Sequence, residues 1–269
     1  MKKKKIIGIL VIVFILFIGM FCGCYVINKL ENKFTNYDNQ INSLASKTDY
    51  LEQKLNQSLD YYEYNTEYKD DAYNYFAIGN SLTLITSEWG RGICSTQPDN
   101  DYFHLVTKAL ESKYGEVVAY PYNFAMWELA DNRDSVLDVL DIYLNEKLNL
   151  VSIQLGENCG TKTKTYEEDI ESLIKYVKNK CPNATIVIVG DWWTADRNEM
   201  RKVAANNQDV LFADLSEIMQ DPKYQAKAGT ICYTEDGGTI KVSKNASTHP
   251  GDLGMEYIAN KIMAVLKLK

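Results

Sequence analysis

Short, mostly apolar segments constrain the fold of this chain more than any other feature. Residues 185–189 read Thr-Ile-Val-Ile-Val, a run without alternation that is typical of a strand buried on both faces, and residues 150–155 are predicted to form a second buried strand. Segments with helical periodicity separate them, and buried strands joined by helices form a parallel sheet covered on both sides. The sequence therefore predicts an α/β domain over residues 74–269.

The same patterns assign the other elements of this domain. We predict further extended segments at residues 75–78, 117–120 and 210–213. We predict helices at residues 101–114, 133–148, 166–180, 195–205 and 253–268. Sites in parallel sheets lie beyond the carboxyl ends of the strands, so the residues that follow each strand are the first candidates for function.

The N-terminal region predicts a membrane anchor over residues 1–27. Lysines occupy positions 2–5, and the next 22 residues carry no charge, which is long enough to span a bilayer. The positive-inside rule puts the lysines in the cytoplasm and the rest of the chain outside the cell membrane. Lipidation at Cys24 is the alternative, but the bulky Phe21 makes a poor cleavage signal.

Residues 28–62 have apolar side chains at a seven-residue spacing that predicts a coiled-coil stalk. Five heptads at 1.5 Å per residue would extend about 50 Å, and such a stalk could join copies of the chain into a homo-oligomer. Thr48 and Ser58 weaken the seam, so the oligomeric state stays open. A single amphipathic helix packed on the domain is the alternative. Residues 63–73, rich in Tyr, Asp, Glu and Asn, are interpreted as a linker.

Charge and composition exclude several classes of function. The chain carries a net charge of −7, and the part after the anchor is more acidic still, with every one of the 36 acidic residues. Such a surface argues against nucleic acid as a partner. Because the sequence has no Cys-x-x-Cys pair, His-rich tract or Gly-rich phosphate loop, we predict neither a metal nor a cofactor.

Ser81 is the candidate nucleophile. It follows the strand at residues 75–78 and Gly79, on what should be a tight strand-to-helix turn. A serine there exposes its hydroxyl at the carboxyl end of the sheet, near a helix N-terminus that favours developing negative charge. The alternative is a serine that only caps the helix.

His249 is the candidate general base. It lies in Thr-His-Pro-Gly-Asp, a loop that leads into the last helix and can bring a rigidly held imidazole to a strand-end serine. Asp252 is expected to cap that helix, with a role as the acid that orients the imidazole as the alternative. The only other histidine, His104, falls mid-helix and is interpreted as structural.

Two segments could stabilise an oxyanion. Asn158, in Gly-Glu-Asn directly after the strand at residues 150–155, offers a side-chain amide. Gly92 lies in a glycine-containing loop that could offer a backbone N–H to the same oxygen. One such donor is worth roughly 3 to 4 kcal/mol in the transition state.

The order of these motifs makes the combination specific. Gly-Asn-Ser-Leu-Thr at 79–83, a Gly loop, Gly-x-Asn at 156–158 and His-Pro-x-Asp at 249–252 resemble the SGNH hydrolases, the GDSL-type esterase superfamily, over residues 73–269. Residues 101–105 and 123–128 resemble one bacterial branch of it. The resemblance implies a flavodoxin-like three-layer α/β/α fold.

The resemblance also implies a role for each site residue. Ser81 would be the nucleophile, His249 the base, and Gly92, Asn158 and the Ser81 N–H the oxyanion donors. The sequence departs from the family at Ala246 and Cys159, where aspartates are usual. We therefore expect a Ser–His dyad, with a backbone carbonyl or Asp252 on the other ring nitrogen.

The cysteines admit a disulfide. If Gly92 and Asn158 meet at one oxygen, Cys94 and Cys159 would be close enough to brace the site, leaving Cys181 and Cys232 as the second pair. The alternative is that these cysteines are buried thiols.

Location and resemblance together predict a serine esterase that removes O-acetyl groups from carbohydrate of the cell envelope. Trp192 and Trp193, just past a strand end, and Trp89 are candidates to stack on sugar rings. Three alternatives remain open: an O-acetyltransferase that uses the same residues, a non-catalytic glycan-binding domain, and a protein whose function resides in the stalk.

Overall fold

The computed structural model describes residues 33, 34, 37, 67–84, 91–160, 163–234 and 237–268. The predicted anchor (1–27), nearly all of the predicted stalk (28–62) and Trp89 lie outside the described residues. Within the part of the chain that is described, no helix combines the length and the hydropathy needed to cross a bilayer. The remaining account concerns residues 67–268, which fall in one compact unit.

A parallel sheet of five strands forms the centre of this unit, in the order β2-β1-β3-β4-β5. Its strands are β1 (Tyr73–Gly79), β2 (Val117–Asn123), β3 (Leu150–Gln154), β4 (Thr185–Val189) and β5 (Leu211–Ala213). This is the strand order of flavodoxin-like folds, in which β2 is added on one side of β1 and β3 to β5 on the other. The parallel sheet predicted from the apolar segments is confirmed.

Helices cover both faces of the sheet. They are α1 (Tyr102–Tyr114), α2 (Ala125–Leu129), α3 (Tyr166–Lys180), α4 (Ala195–Asn207) and α5 (Asp252–Val265). Alternate side chains of β1 enter different cores: Phe76 packs in the core with α3 and α4, and Tyr75 in the core with α1 and α5. Residues 75–78 of the strand are buried on both sides, which explains why they are all apolar or aromatic.

Two parts of the secondary structure differ from the prediction. The segment Arg133–Ile142 is a 3₁₀ helix that ends six residues before the predicted boundary. Its apolar spacing fits a period of 3.0 as well as 3.6 over so short a length. A small antiparallel hairpin, β6 (Ile231–Tyr233) with β7 (Thr239–Lys241), was not predicted, because strands of three residues are too short to show a pattern.

The cysteines are not paired. All four cysteines of the domain are buried free thiols. Cys94 packs with Cys232 in a small separate cluster, whereas Cys159 and Cys181 belong to the core that contains Phe76. The predicted pairing of Cys94 with Cys159 is therefore wrong, since the two side chains lie in different clusters.

Candidate active site

Ser81 lies on a tight turn at the carboxyl end of β1. The turn is closed by two bonds to the Asn80 carbonyl, from Thr83 N–H at 2.8 Å and from Leu84 N–H at 2.9 Å. Gly79 is required here because a Cβ at this position would lie 1.8 Å from Thr83 Oγ1. The turn leaves the Ser81 side chain partly exposed, as a nucleophile needs to be.

The structure brings Ser81 and His249 together across 168 residues of chain. Ser81 Oγ lies 3.3 Å from His249 Nε2, and His249 Nδ1 lies 3.1 Å from the Ala246 carbonyl oxygen. A carbonyl can only accept, so Nδ1 carries the ring proton of the neutral imidazole. Nε2 therefore presents a lone pair to the serine hydroxyl, which is the tautomer that a general base requires.

Backbone bonds hold the loop that carries His249. The His249 carbonyl accepts from Ala226 N–H at 2.8 Å, and the Thr248 carbonyl accepts from the indole N–H of Trp192 at 3.0 Å. The 3₁₀ turn Ala246–Thr248 curls the chain so that the Ala246 carbonyl faces the ring of His249. Hydrogen bonds to the main-chain carbonyls of this loop thus position the imidazole.

The tryptophans differ in their positions. Trp192 is fully buried and buttresses the histidine loop, so the prediction that it stacks on a sugar is wrong. Trp193 is partly exposed, and its ring lies edge-on to the His249 ring at 5.0 Å between centroids. Of the two, Trp193 is the one placed to contact a ligand beside the imidazole.

Burial favours the neutral form of the His249 imidazole. It lowers the pKa of His249 below the ordinary value of 6.5, while the bond to the Ala246 carbonyl opposes this shift by favouring the charged ring. The net direction keeps the ring neutral at neutral pH. A neutral imidazole can take the serine proton.

Asp252 does not contact the imidazole. Its carboxylate accepts from Thr96 N–H at 2.7 Å, from the Thr96 hydroxyl and from Asn100 Nδ2 at 3.2 Å. It is not the helix cap either, since the cap of α5 is Gly251. Both predicted roles for Asp252 are replaced by a third: it ties the loop at 96–100 to the start of α5.

Gly92 lies beside the nucleophile, but its N–H is already used. The N–H donates to Asp101 Oδ2 at 2.8 Å, and the next residue, Ile93, donates to the Ser81 carbonyl at 2.7 Å. Asp101 is fully buried and also accepts from His104 Nδ1. The predicted oxyanion role of the Gly92 N–H does not fit this arrangement.

Asn158 is exposed at the carboxyl end of β3, and Glu128 holds it in place. Asn158 Nδ2 donates to Glu128 Oε2 at 2.9 Å, and Asn80 Nδ2 donates to the same oxygen. Two amides bound to a single atom are close neighbours, so Asn158 lies beside the turn that carries Ser81. The amide group has a second N–H, which is available for an oxyanion.

A buried ionic network supports the loop that carries Asn158. Arg201 is fully buried and donates to Glu157 at 2.7 Å and to Asp191 at 3.2 Å, and Arg197 donates to Asp191 at 2.7 Å. Gly156 has φ of +122°, a conformation that favours glycine, and a Cβ there would lie 2.1 Å from Tyr166 Oη. The ionic network and the close packing of Gly156 on Tyr166 therefore fix the position of this loop.

Sequence reasoning missed Glu128, Asp191 and Arg201. Asp191 directly follows β4 and Gly190, so inspection of every strand end could have found it. Glu128 lies at the end of the stretch 123–128 that resembles the bacterial branch. No sequence pattern marks Arg201 as buried, because a charged residue within a helix is ordinarily solvent-exposed.

A cavity of about 490 Å³ lies elsewhere, at the amino ends of β4 and β5, between the end of α3 and Leu211. Sites in parallel sheets form at the opposite, carboxyl edge. We therefore assign no catalytic role to this cavity.

Comparisons with known proteins support the fold. No protein-family model matches the chain, and no curated protein matches it. A Parabacteroides merdae protein classed as a GDSL-like lipase matches with a TM-score of 0.50 at 18% identity, over 76% of this chain and 99% of the other. The described domain has the fold of a GDSL-like lipase.

A two-domain esterase active on acetylated mannans is also similar to the domain. It matches with a TM-score of 0.51 at 16% identity, and the match covers 73% of this chain and 49% of that esterase. At such identities the likeness shows the GDSL-like lipase fold alone. The activity has to be argued from the residues at the carboxyl edge of the sheet.

Proposed function

We propose that this domain is a serine ester hydrolase of the SGNH type with a Ser–His dyad. The observation that carries the proposal is the chain of contacts from Ser81 Oγ through the His249 ring to the Ala246 carbonyl, at 3.3 and 3.1 Å. A nucleophile, a base on it and a third group that orients the base are the three parts that acyl transfer needs.

The proposed reaction has two halves. His249 Nε2 takes the proton of Ser81 as Oγ attacks the ester carbonyl carbon, and the imidazolium then returns a proton to the departing alcohol. Water, deprotonated by the same Nε2, attacks the acyl-enzyme, and the carboxylic acid and Ser81 are released. The side-chain amide of Asn158 and the N–H of Ser81 are the proposed oxyanion donors.

We propose short acyl groups on carbohydrate, acetyl above all, as the substrate class. Trp193 beside the His249 ring supplies an aromatic face for a sugar. The proposed anchor at 1–27 and stalk at 28–62 would display the domain outside the cell membrane, where acylated polysaccharides occur. The structural similarity to an esterase active on acetylated mannans favours the same class.

A fluorophosphonate probe and an acetylated oligosaccharide test the proposal. The full chain should be labelled and should release acetate, and Ser81→Ala should do neither. Ser112→Ala, at an exposed serine near the carboxyl end of α1, is the matched control and should keep both activities. Acetyl transfer to an added sugar in place of acetate release would identify an acetyltransferase, and a wild type that is not labelled would leave a binding domain.

A further inference from the structure

Glu128 connects the two segments that carry the proposed chemistry. The carboxylate is fully buried in α2. Its Oε2 accepts from Asn80 Nδ2 in the turn after β1 and from Asn158 Nδ2 in the loop after β3, at 2.9 Å for Asn158. Its Oε1 accepts from the backbone N–H of Gly156 in that same loop.

A carboxylate is an unfavourable group to bury at this place. A buried charge destabilises the fold unless strong hydrogen bonds compensate for the lost hydration. The donors to Glu128 come from segments that are distant in sequence, and charge-assisted bonds of this kind are about twice as strong as neutral ones. A neutral or apolar side chain could fill the space, but it could not hold all of these donors.

The bond to Glu128 also decides which way the Asn158 amide faces. The side chain is exposed, and an amide that is free to rotate would present its oxygen as readily as its nitrogen to a developing oxyanion. An ionised carboxylate accepts only, so it binds the NH₂ group and excludes the flipped orientation. One N–H of the Asn158 amide donates to Glu128, and the other can donate to the substrate.

We propose that Glu128 is a positioning residue that fixes the orientation of the Asn158 amide and its distance from the Ser81 turn. It acts through Asn158 and does not touch the substrate. This inference rests on the proposed esterase function and adds to it a residue on which the oxyanion site depends.

A double-mutant cycle with Glu128→Gln and Asn158→Ala in the full chain tests the inference, with 4-nitrophenyl acetate as the ester. Loss of a whole oxyanion donor lowers kcat by about 10²- to 10³-fold, which is the upper bound for an effect transmitted through Asn158. Glu128→Gln should lower kcat by about 10- to 100-fold and change KM by less than about 3-fold. In the Asn158→Ala background, Glu128→Gln should lower kcat by less than about a further 3-fold.

The matched control is Glu116→Gln, at an exposed carboxylate that pairs with Lys69. It should keep wild-type kcat and KM. Glu128→Asp retains the charge, so its kcat should fall between those of Glu128→Gln and the wild type; it also serves if Glu128→Gln does not fold. Effects of Glu128→Gln and Asn158→Ala that multiply, or a change confined to KM, would overturn the inference.

A second measurement separates this inference from the proposed function. The side-chain amide signals of Asn158 and Asn80 in a ¹H–¹⁵N spectrum should shift in Glu128→Gln and stay in place in Glu116→Gln. If the wild type neither hydrolyses esters nor is labelled by the fluorophosphonate, the esterase proposal fails, while these signals still test the positioning. Unshifted signals would refute the role of Glu128 even in an active enzyme.

Discussion

The thiol of Cys94 donates to the carbonyl oxygen of Ala246 at 3.3 Å, and this oxygen also accepts from Nδ1 of the His249 imidazole at 3.1 Å. Burial, with the neighbouring Cys232, raises the pKa of the Cys94 thiol to about 12, so the sulfur carries its proton and can donate. In the proposed dyad this carbonyl takes the place that a triad carboxylate has on the same ring nitrogen. Because that carbonyl is on the main chain, its direction depends on contacts such as this one.

Cys94→Ala removes the donor to the Ala246 carbonyl, so the direction of that carbonyl should be less well fixed. Cys94→Ser retains a donor. We expect Cys94→Ala to lower kcat by about 2- to 10-fold and the free energy of unfolding by about 1 kcal/mol, the usual net value of one hydrogen bond. Ester hydrolysis and urea unfolding of both variants check this. Equal kcat values for Cys94→Ala and the wild type would show that the thiol does not orient the dyad.

The midpoint at which kcat/KM falls on the acid side should lie below pH 6.5. Burial lowers the pKa of His249, and the neutral ring is the active form. Activity is therefore lost as the pH falls through that lowered pKa and is constant above it. The pH dependence of kcat/KM for 4-nitrophenyl acetate measures the midpoint, and a midpoint above 7 would contradict the assignment.

Asp252→Asn tests whether Asp252 only holds the loop at 96–100 to the start of α5 or also acts as the acid of a triad. Asp252 binds Thr96 and Asn100, so we expect the variant to keep kcat within about 3-fold, far from the roughly 10⁴-fold loss seen when a triad aspartate is replaced. The free energy of unfolding should fall by about 1 to 2 kcal/mol as charge-assisted bonds weaken. A kcat that collapses while the fold stays stable would restore Asp252 as the acid.

The two neighbouring tryptophans should respond differently to substitution. Trp193→Ala should raise KM for an acetylated oligosaccharide by about 2- to 13-fold, since one aromatic contact is worth about 0.5 to 1.5 kcal/mol, and leave KM for 4-nitrophenyl acetate nearly unchanged.

Trp192→Phe keeps an aromatic ring in the core but removes the donor to the Thr248 carbonyl. We expect it to lower kcat for both substrates and to leave the ratio of their KM values unchanged. If Trp193→Ala and Trp192→Phe gave the same profile, the proposed sugar contact at Trp193 would be wrong.

Glu157 should make the stability of the domain depend on pH. Burial raises its pKa to about 7 from 4.5, and the charge of Arg201 opposes this only in part. The folded state then holds a proton that the unfolded state has released, so the free energy of unfolding falls as pH rises from 4.5 to about 7. The loss is at most about 3 kcal/mol, at about 1.4 kcal/mol per pKa unit.

Glu157→Gln removes this titration. Urea unfolding between pH 4.5 and 8 should show a shallower decline for Glu157→Gln than for the wild type, and Glu168→Gln, at an exposed position on α3, should behave as the wild type does. Parallel curves for Glu157→Gln and the wild type would mean that Arg201 keeps Glu157 charged throughout.

The sequence by itself determined the class of fold and singled out the two residues that we propose react. Apolar runs such as residues 186–189 indicate a parallel sheet, because strands buried on both faces have no polar face to show. Ser81 and His249 follow from their positions at a strand end and before the last helix. These are local signals, encoded within a few residues.

The tertiary structure decided how the remaining groups are used, because a side chain's partner depends on what the fold packs against it. Asp252 and Gly92 both lie near the site, yet Thr96 and Asn100 take the carboxylate of the first and Asp101 takes the N–H of the second. The Ala246 carbonyl has no sequence signal, since every residue carries one. Only the folded chain selects which carbonyl faces the imidazole.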